Sequence, residues 1–433
     1  MLATIDLRSA DAEFDLAAAL PRAEFDVGQA LAQVEPICRA VQTDGEAALR
    51  RWSEQFDHVV PASFRVDPEQ AAAAAAALDD DLRQAFLTSI ERRRAVAVIE
   101  ADQPDRTVSL AAGAKVTIRR LPVDRVGLYV PGGLAPLASS VIMNVVPAQA
   151  AGVRSIAVAS PPQAEFGGLP QPTILALCHL LGVEEIYAVG GAQAIAMFAY
   201  GVPGLCRAVD LVTGPGNIYV VAAKRLLRGQ VGIDAEAGPT EVAILADASA
   251  PVSFIAADLL SQAEHDPLAG AVLVTDSLAL ADQVRAEVAR LADQSPHQTR
   301  ILQALNGRQS AVVLVRDIDQ GIAVVNAYAA EHLEIMTADP AAVASRIDNA
   351  GAVFVGPYAP VSLGDYSAGS THVLPTGGAA RYQSGLTVDS FRRTVHVIDY
   401  DAAALAAVAP GIERFALAED LPGHAAAIAV RGA

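Results

Sequence analysis

The segment that decides the fold is EVAILADASAPVSFIAADLLSQAEHDPLAGAVLVTD, residues 241–276. It contains two short apolar runs, EVAILAD (241–247) and AVLVTD (271–276), whose β-branched residues are typical of buried strands. Between them lies a segment of helical composition that starts near Pro251 and stops before Pro267. A strand, a helix and a second strand in this order predict a βαβ unit on a parallel sheet.

The same rhythm continues outward in both directions. Similar apolar runs, separated by segments long enough for helices, are VGLYV (126–130), SIAVAS (155–160), EIYAVG (185–190), AVDLVTG (208–214), SAVVLV (310–315) and GAVFVG (351–356). We therefore predict an α/β fold with two parallel sheets, each too short to close into a barrel.

Three regions differ from this rhythm. Residues 1–125 are predicted to be mostly helical, and the alanine- and arginine-rich stretch 67–98 predicts one long helix or a helical pair. The glycine-rich segment SLGDYSAGSTHVLPTGGAARYQSG (362–385) indicates an irregular functional loop. The C-terminal tail, with strand-like TVHVIDY (394–400) and an alanine-rich helix, is too small to fold alone, so we expect it to dock on another body or subunit.

Composition excludes several classes of protein. The chain has 433 residues, 31 basic and 49 acidic, and its formal charge of −18 argues against nucleic acid or an anionic membrane as a partner. The uncharged stretches 126–153 and 186–206 contain too many glycines and prolines for a membrane-spanning helix. The acidic start MLATIDLRSADAEFD does not resemble a signal peptide, and three cysteines are too few for a disulfide framework. We expect a soluble, cytoplasmic protein.

The strongest chemical motif is SQAEHD (261–266). On a helix, Gln262 and His265 share a face, a spacing that suits two ligands of one ion or substrate, and Glu264 or Asp266 could orient the imidazole. The alternative is an ordinary helix C-terminus, where a histidine interacts favourably with the helix dipole.

A second Ala-Glu-His occurs at 330–332. Adjacent helical residues point about 100° apart, so Glu331 and His332 would not bind one ion together. Near a helix-to-strand junction they can instead act as separate proton carriers on one substrate.

The other histidines divide by context. His372 and Asp365 lie in the glycine-rich loop, and His424 follows Pro422 at a helix start, so we expect these side chains to contact a ligand. A structural role is expected for the remaining four, His58, His179, His297 and His396.

Glycine-rich turns follow three of the predicted strands: GLYVPGG (127–133), VGGAQA (189–194) and VTGPGN (212–217). Each could present backbone N–H groups to a phosphate, but none is G-x-G-x-x-G and no Walker lysine follows. These turns are compatible with a nucleotide and do not establish one.

Taken together, these motifs resemble the histidinol dehydrogenase family. The segment IDAEAGPTEVAILADASAPVSFIAADLLSQAEH (233–265) closely resembles its hallmark, and the resemblance runs from about residue 25 to the C-terminus. Further motifs similar to the family, in the same order, are GLYVPGG, SSVIMNVVPAQAAGV, GGAQAIA, TGPGN, AAEHLEI, the glycine-rich loop and ERFALAEDLPGHAAAI.

The resemblance implies oxidation of L-histidinol to L-histidine through L-histidinaldehyde, with two NAD reduced, as the last step of histidine biosynthesis. His332 would be the general base, and Glu331 would activate the water that hydrates the aldehyde. One Zn²⁺ per subunit would be held by Gln262, His265, Asp365 and His424. The positions that match substrate contacts are Thr240, Gln262, His265, His332, Asp365, His372, Glu419 and His424, and those that match NAD contacts are Tyr129, Gln193 and Asn217.

The resemblance also implies two Rossmann-like domains without the usual dinucleotide fingerprint, in a homodimer with shared active sites. The expected division is a small N-terminal extension (1–24), a zinc-binding catalytic domain (25–128 and 240–386), an NAD-binding domain (129–239) and a C-terminal extension (387–433) that reaches the partner subunit. Glu419 and His424 would then serve the active site of the neighbouring chain.

Two departures from the family pattern are Thr240, where serine is frequent, and Thr371, where asparagine often precedes the loop histidine. One alternative is a related zinc and NAD dehydrogenase of another small alcohol, such as a sulfonated diol; another is a non-catalytic metal-binding protein. Intact Glu331, Glu419 and His372 favour histidinol.

Overall fold

The structure is a computed structural model that describes residues 1–11, 13–23, 26–132 and 136–432. Gly133 of the GLYVPGG turn and the expected boundary at residues 24 and 25 lie outside the described residues. The strands are β1 (Ala3–Asp6), β2 (Arg106–Ala111), β3 (Ala114–Pro122), β4 (Arg125–Tyr129), β5 (Ser155–Ser160), β6 (Glu185–Ala188), β7 (Leu211–Thr213), β8 (Gly232–Ile233), β9 (Glu241–Ala246), β10 (Gly270–Thr275), β11 (Ala311–Leu314), β12 (His332–Met336), β13 (Ala352–Val355) and β14 (Arg392–Tyr400).

The α-helices are α1 (Leu16–Ala19), α2 (Val27–Asp44), α3 (Glu46–Trp52), α4 (Pro68–Ala76), α5 (Asp80–Ala101), α6 (Ser139–Ala151), α7 (Pro172–Leu180), α8 (Gly191–Tyr200), α9 (Ile218–Leu227), α10 (Val252–Ala263), α11 (Leu278–Ala292), α12 (Gln298–Asn306), α13 (Ile318–Tyr328), α14 (Pro340–Ala344), α15 (Val361–Tyr366), α16 (Ala402–Ala418) and α17 (Pro422–Ala429). In the described part of the chain, no helix is both long enough and apolar enough to cross a membrane.

Two parallel sheets confirm the predicted α/β fold class. One has five strands in the order β6-β5-β4-β7-β8, and the other has six in the order β1-β11-β10-β9-β12-β13. All eight apolar runs singled out in the sequence contain a strand of these sheets.

Both sheets are covered on both faces, which explains why their strands are continuously apolar. In β9, Val242 and Ile244 point to one apolar layer, whereas Ala243 and Leu245 point to the opposite layer. In β5, Val158 and its neighbour Ala157 divide between two layers in the same way.

The packing of the N-terminal helices differs from the expected division of the chain. That division places residues 27–101 in the catalytic domain, but α2 packs on α8 and α9, and α5 packs on α6, so these helices cover the five-stranded sheet. β1, from the expected N-terminal extension, pairs with β11 as an edge strand of the six-stranded sheet. The four-part division itself stays a prediction.

The stretch 67–98 forms a helical pair, because α4 ends at Ala76 and Asp79 caps the start of α5. Its carboxylate accepts a hydrogen bond from the backbone N–H of Leu82 at 2.9 Å, the usual arrangement at a helix N-terminus.

The expectation that residues 1–125 are mostly helical is wrong for 106–122. Here β2 and β3 form an antiparallel sheet with β14 from the tail. Most residues of β2 and β14 are exposed, so neither strand has the continuous apolar character that identifies the parallel strands.

Candidate active site

The amino edge of the six-stranded sheet brings together residues from three separate motifs. Thr240 precedes β9, Gln262 lies in the last turn of α10, and Glu331 precedes β12. α13 ends at Tyr328, and Ala329 takes a left-handed conformation (φ 48°) that turns the chain toward the sheet. Glu331 and His332, here called the acid–base pair, therefore lie at the predicted helix-to-strand junction, and both are buried.

Both described hydrogen bonds to the Glu331 carboxylate reach the same oxygen. Its Oε2 atom accepts hydrogen bonds from the Thr240 hydroxyl at 2.6 Å and from the Glu241 backbone N–H at 3.0 Å. Burial raises the pKa of Glu331 to about 8, and this effect outweighs the two hydrogen bonds, which act in the opposite direction. A carboxyl group with a pKa near neutrality can exchange a proton with water at physiological pH.

The His332 imidazole is oriented by the backbone. Its Nδ1 lies 3.3 Å from the Glu241 carbonyl oxygen. A carbonyl oxygen can only accept, so Nδ1 carries the proton of the neutral ring and Nε2 carries the lone pair. Nε2 is buried and receives no hydrogen bond from any described residue. Burial lowers the pKa of His332 to about 4, which keeps the ring in its neutral, proton-accepting form.

Gln262 joins this network through its amide nitrogen. Its Nε2 donates to the Thr240 hydroxyl at 3.0 Å, so one hydrogen-bonded chain runs from Gln262 through Thr240 to Glu331. The Gln262 Oε1 atom is buried and has no donor among the described residues. An unpartnered buried amide oxygen of this kind can serve as a ligand for a cation.

The expectation that Gln262 and His265 share a helix face is wrong in one respect. α10 ends at Ala263, and His265 lies in the following turn, where its backbone N–H still binds the Gln262 carbonyl oxygen at 3.3 Å. The His265 ring is exposed.

Asp365 and His372 lie close together, but only His372 is in a loop, because Asp365 belongs to α15. The His372 Nδ1–H donates to the Asp365 carbonyl oxygen at 3.2 Å, and its Nε2 accepts from the Ser140 hydroxyl at 3.1 Å. Asp365, His265 and His372 lie close enough to His332 for their charges to influence its pKa.

The two predicted site residues of the tail, Glu419 and His424, form no described hydrogen bond with the acid–base pair. Glu419 caps the end of α16 and His424 lies in α17, and both are exposed. Neither side chain makes a hydrogen bond or ion pair within the described part of the chain. No group of three or more His, Cys, Asp or Glu side chains is placed to hold a metal ion among the described residues. Two of the four expected ligands, His265 and Asp365, are of these residue types and lie near the acid–base pair. Gln262 is an amide, and His424 lies in the tail.

The three expected NAD contacts lie at the carboxyl edge of the five-stranded sheet. Tyr129 ends β4, Gln193 is in the first turn of α8, and Asn217 caps α9 by accepting from two backbone N–H groups. The Tyr129 hydroxyl accepts from the Gly191 N–H at 3.1 Å. A β-carbon at Gly214 (φ 112°) would collide with the Tyr129 carbonyl oxygen, so this turn must carry glycine. The three turns thus form one surface at the edge where α/β sheets commonly bind ligands.

Sequence reasoning missed three residues that touch this site: Ser140, Glu241 and Arg22. Ser140 lies within the motif SSVIMNVVPAQAAGV, and Glu241 is an acid at the start of an apolar strand, which is a usable signal of a special environment. Arg22 lies outside the family motifs and carries no such signal.

Fold and site define a Rossmann-like α/β protein with a buried acid–base pair beside a vacant amide oxygen. A family model described as histidinol dehydrogenase matches residues 20–432. The histidinol dehydrogenase of Cutibacterium acnes is 66% identical over 100% of this chain and 99% of its own length, and that of Thermobifida fusca is 59% identical over 100% and 98%. The crystal structure of histidinol dehydrogenase from Elizabethkingia anophelis superposes with a TM-score of 0.90, at 32% identity, over 99% of this chain and 98% of the other.

The chain therefore belongs to the histidinol dehydrogenase family, and the resemblance seen in the motifs is confirmed. It is an oxidoreductase.

Proposed function

We propose that the protein oxidises L-histidinol to L-histidine through L-histidinaldehyde, reducing two NAD, as the last step of histidine biosynthesis in the cytoplasm. The observation that carries this proposal is the acid–base pair, with the His332 Nε2 buried and free to accept a proton. The Cutibacterium and Thermobifida relatives are histidinol dehydrogenases that match over nearly their whole length, which supports the same substrate here.

In the first oxidation, His332 Nε2 takes the proton of the substrate hydroxyl while the carbon gives up a hydride. When bound, NAD supplies the acceptor for that hydride in each oxidation. The environment that lowers the pKa of His332 makes the protonated ring a good acid, so it releases its proton before the second oxidation.

Between the two oxidations, the aldehyde must gain the oxygen of a water molecule. Glu331 is the group that takes the water proton, and because both described donors bind Oε2, Oε1 is the atom left for this task. The hydrate then loses a hydride and a hydroxyl proton, and the water oxygen remains in the product carboxylate.

The buried, unpartnered Gln262 Oε1 atom supports a zinc ion as the cofactor. The ligands would be Gln262, His265 and Asp365, together with His424 of the partner subunit. An amide, two imidazoles and a carboxylate suit a metal that takes further ligands from substrate, since closed structural zinc sites favour cysteine. When bound, zinc would hold the substrate imidazole and amine so that the reacting carbon has one orientation.

The tail supports the proposed homodimer with shared sites. The three-stranded sheet and α16 expose large apolar side chains, including Ile398 (72% exposed) and Phe415 (69% exposed). Exposed apolar side chains of this size, where they form one patch, commonly mark a protein–protein interface. A partner subunit bound to this surface would cover these side chains. The same contact would bring His424 and Glu419 to the active site of that partner.

The activity test is the stoichiometry of NADH formed from L-histidinol. Two NADH and one L-histidine per substrate support the proposal. Turnover of a sulfonated diol with none of histidinol would establish the alternative dehydrogenase, and no turnover of either with metal bound would favour the non-catalytic protein.

The metal test compares His265→Ala with His297→Ala, which alters an exposed histidine away from the site. We expect His265→Ala to lose most bound zinc by elemental analysis, while His297→Ala retains it. Full zinc content in both variants would disprove the ligand assignment.

The dimer test mixes inactive His332→Ala subunits with inactive His424→Ala subunits. Half of the randomly formed dimers contain one of each, and each mixed dimer has one intact site, so about a quarter of wild-type activity should return. No recovery, with mixed dimers demonstrated, would show that His424 serves its own chain.

A further inference from the structure

One peptide segment holds both members of the acid–base pair. The Glu241 N–H donates to Glu331 Oε2 at 3.0 Å, and the Glu241 carbonyl oxygen accepts from His332 Nδ1–H at 3.3 Å. The first residue of β9 therefore sets both the direction of the carboxylate and the tautomer of the imidazole.

The side chain of Glu241 is itself buried and bound on several sides. Arg22 Nη1 lies 3.1 and 3.0 Å from its two oxygens, and the Tyr328 hydroxyl donates at 3.3 Å. The Gly377 N–H, from the loop that follows His372, donates at 3.1 Å. Arg22 also donates to the Tyr328 carbonyl oxygen and lies over the Tyr328 ring, 4.3 Å from its centroid.

These contacts make Glu241 a junction of four chain segments: the region before α2, the end of α13, the start of β9 and the loop after His372. Burial raises the pKa of Glu241 even with Arg22 present, so the charged form depends on this cation. A buried carboxylate that loses its cation either takes up a proton or moves toward water. Either change disturbs the hydrogen bonds at the junction.

We infer that Arg22 and Glu241 are positioning residues for the reaction: the ion pair fixes the Glu241 backbone, and this backbone holds Glu331 and His332 in their working orientations. The inference rests on the proposed function for its kinetic test, but the orientation of His332 can be measured without turnover.

The kinetic test uses Arg22→Ala. We expect kcat for both oxidations to fall about 10- to 100-fold, because displacements of about 1 Å at reacting groups have effects of this size. KM for histidinol should stay close to the wild-type value, since Arg22 does not touch substrate positions. Arg22→Lys keeps the charge but lacks the planar fork of donors, so we expect an intermediate kcat. Because the Arg22 side chain is 27% exposed, added guanidinium should restore part of the activity of Arg22→Ala.

Arg93→Ala is the matched control. Arg93 is fully buried and binds the Glu100 carboxylate at 3.2 and 3.1 Å, within α5 and away from the acid–base pair. Both alanine variants lose a buried ion pair and both should unfold at lower temperature. Only Arg22→Ala should lose kcat per folded molecule.

The second readout is the ¹⁵N NMR spectrum of the His332 ring, assigned by its loss in His332→Ala. We expect Nδ1 to carry the proton in the wild-type protein and the proton to redistribute toward Nε2 in Arg22→Ala. Wild-type kcat and an unchanged tautomer in Arg22→Ala would overturn the inference and leave the proposed function intact. Absence of histidinol oxidation by the wild-type protein would overturn the proposed function, while the tautomer still tests the positioning role.

Discussion

The two parallel sheets use opposite edges. The five-stranded sheet gathers the proposed NAD turns at its carboxyl edge, where glycines allow close approach of the backbone. The six-stranded sheet gathers Thr240, Glu331 and His332 at its amino edge, where the proposed chemistry depends on side chains. His372 connects the two, because it accepts from Ser140 at the start of α6. Under the proposed function, the cofactor and the substrate would meet near this contact.

Under the proposed function, the rule that places ligands at carboxyl edges applies to the first sheet and not to the second. The carboxyl-edge rule depends on helix N-termini and turns that follow strands. At the amino edge, the useful groups come from the ends of helices and the first residues of strands. Variants at the two edges should therefore have different kinetic signatures.

His332→Ala should give the largest effect. Removing a general base costs about 10²- to 10⁴-fold in rate, so kcat should fall by this amount in both oxidations while KM for NAD stays near the wild-type value. Steady-state kinetics check this, with His297→Ala as the unaffected control. A raised KM for NAD with normal kcat would reverse the roles assigned to the two edges.

The pH dependence of aldehyde oxidation should follow Glu331. Its folded pKa is raised to about 8, so the carboxyl group is protonated and inactive as a base below that pH, and the rate should rise with pH until about 8 and then level off. Below the transition the slope approaches about tenfold per pH unit. Single-turnover rates with L-histidinaldehyde measure this.

Glu331→Gln is the control for that profile. It should lose the rise with pH and spare alcohol oxidation more than aldehyde oxidation. Equal loss in both half-reactions would contradict the assignment of Glu331 to the water.

Gly214→Ala should act at the other edge. A methyl group there collides with the Tyr129 carbonyl oxygen, and strain of about 1–3 kcal/mol should raise KM for NAD about tenfold or more, with a smaller change in kcat. Gly229→Ala is the matched control, because Gly229 has a similar φ of 104° but open space around it. If both variants raised KM equally, backbone strain and not the collision would be responsible.

Thr240→Ser should have the smallest effect. Serine keeps the hydroxyl that donates to Glu331 and accepts from Gln262, so kcat should stay within about twofold of wild type. Thr240→Ala breaks the same hydrogen-bonded chain and should lower kcat clearly. Equal activity of the serine and alanine variants would show that the chain has no role in catalysis.

The strands buried on both faces could be predicted from sequence, because a short continuous run of β-branched residues is typical of a strand that is covered on both sides. β2 could not, since all of its residues are exposed. β14 is indicated by the strand-like run 394–400, but its pairing with β3 could not be predicted, because β3 lies far away in the chain. Strand β12 is not among the apolar runs, because it begins at His332, directly after Glu331, and contains Glu334.

The residues of the candidate site likewise divide into those that could be singled out from the sequence and those that could not. Gln262, Glu331 and His332 could be singled out because their local spacing suggested chemistry. Glu241 carries the signal of an acid at the start of an apolar strand, but its pairing with Arg22 could not be predicted, because the two residues are more than two hundred positions apart. In the proposed dimer, the place of His424 depends on a second chain, which no single-chain pattern describes.

The pairing of β1 with β11 has a consequence for biogenesis. Ala3 pairs with Ala311, so during synthesis β1 must wait until the distant β11 has also been made before its partner exists. Until then, β1 would present unpaired strand edges to other nascent chains. Trimming residues before α1 leaves β11 with an open edge in the folded protein. It should therefore lower the yield of soluble protein during expression more than it lowers the activity of the molecules that fold.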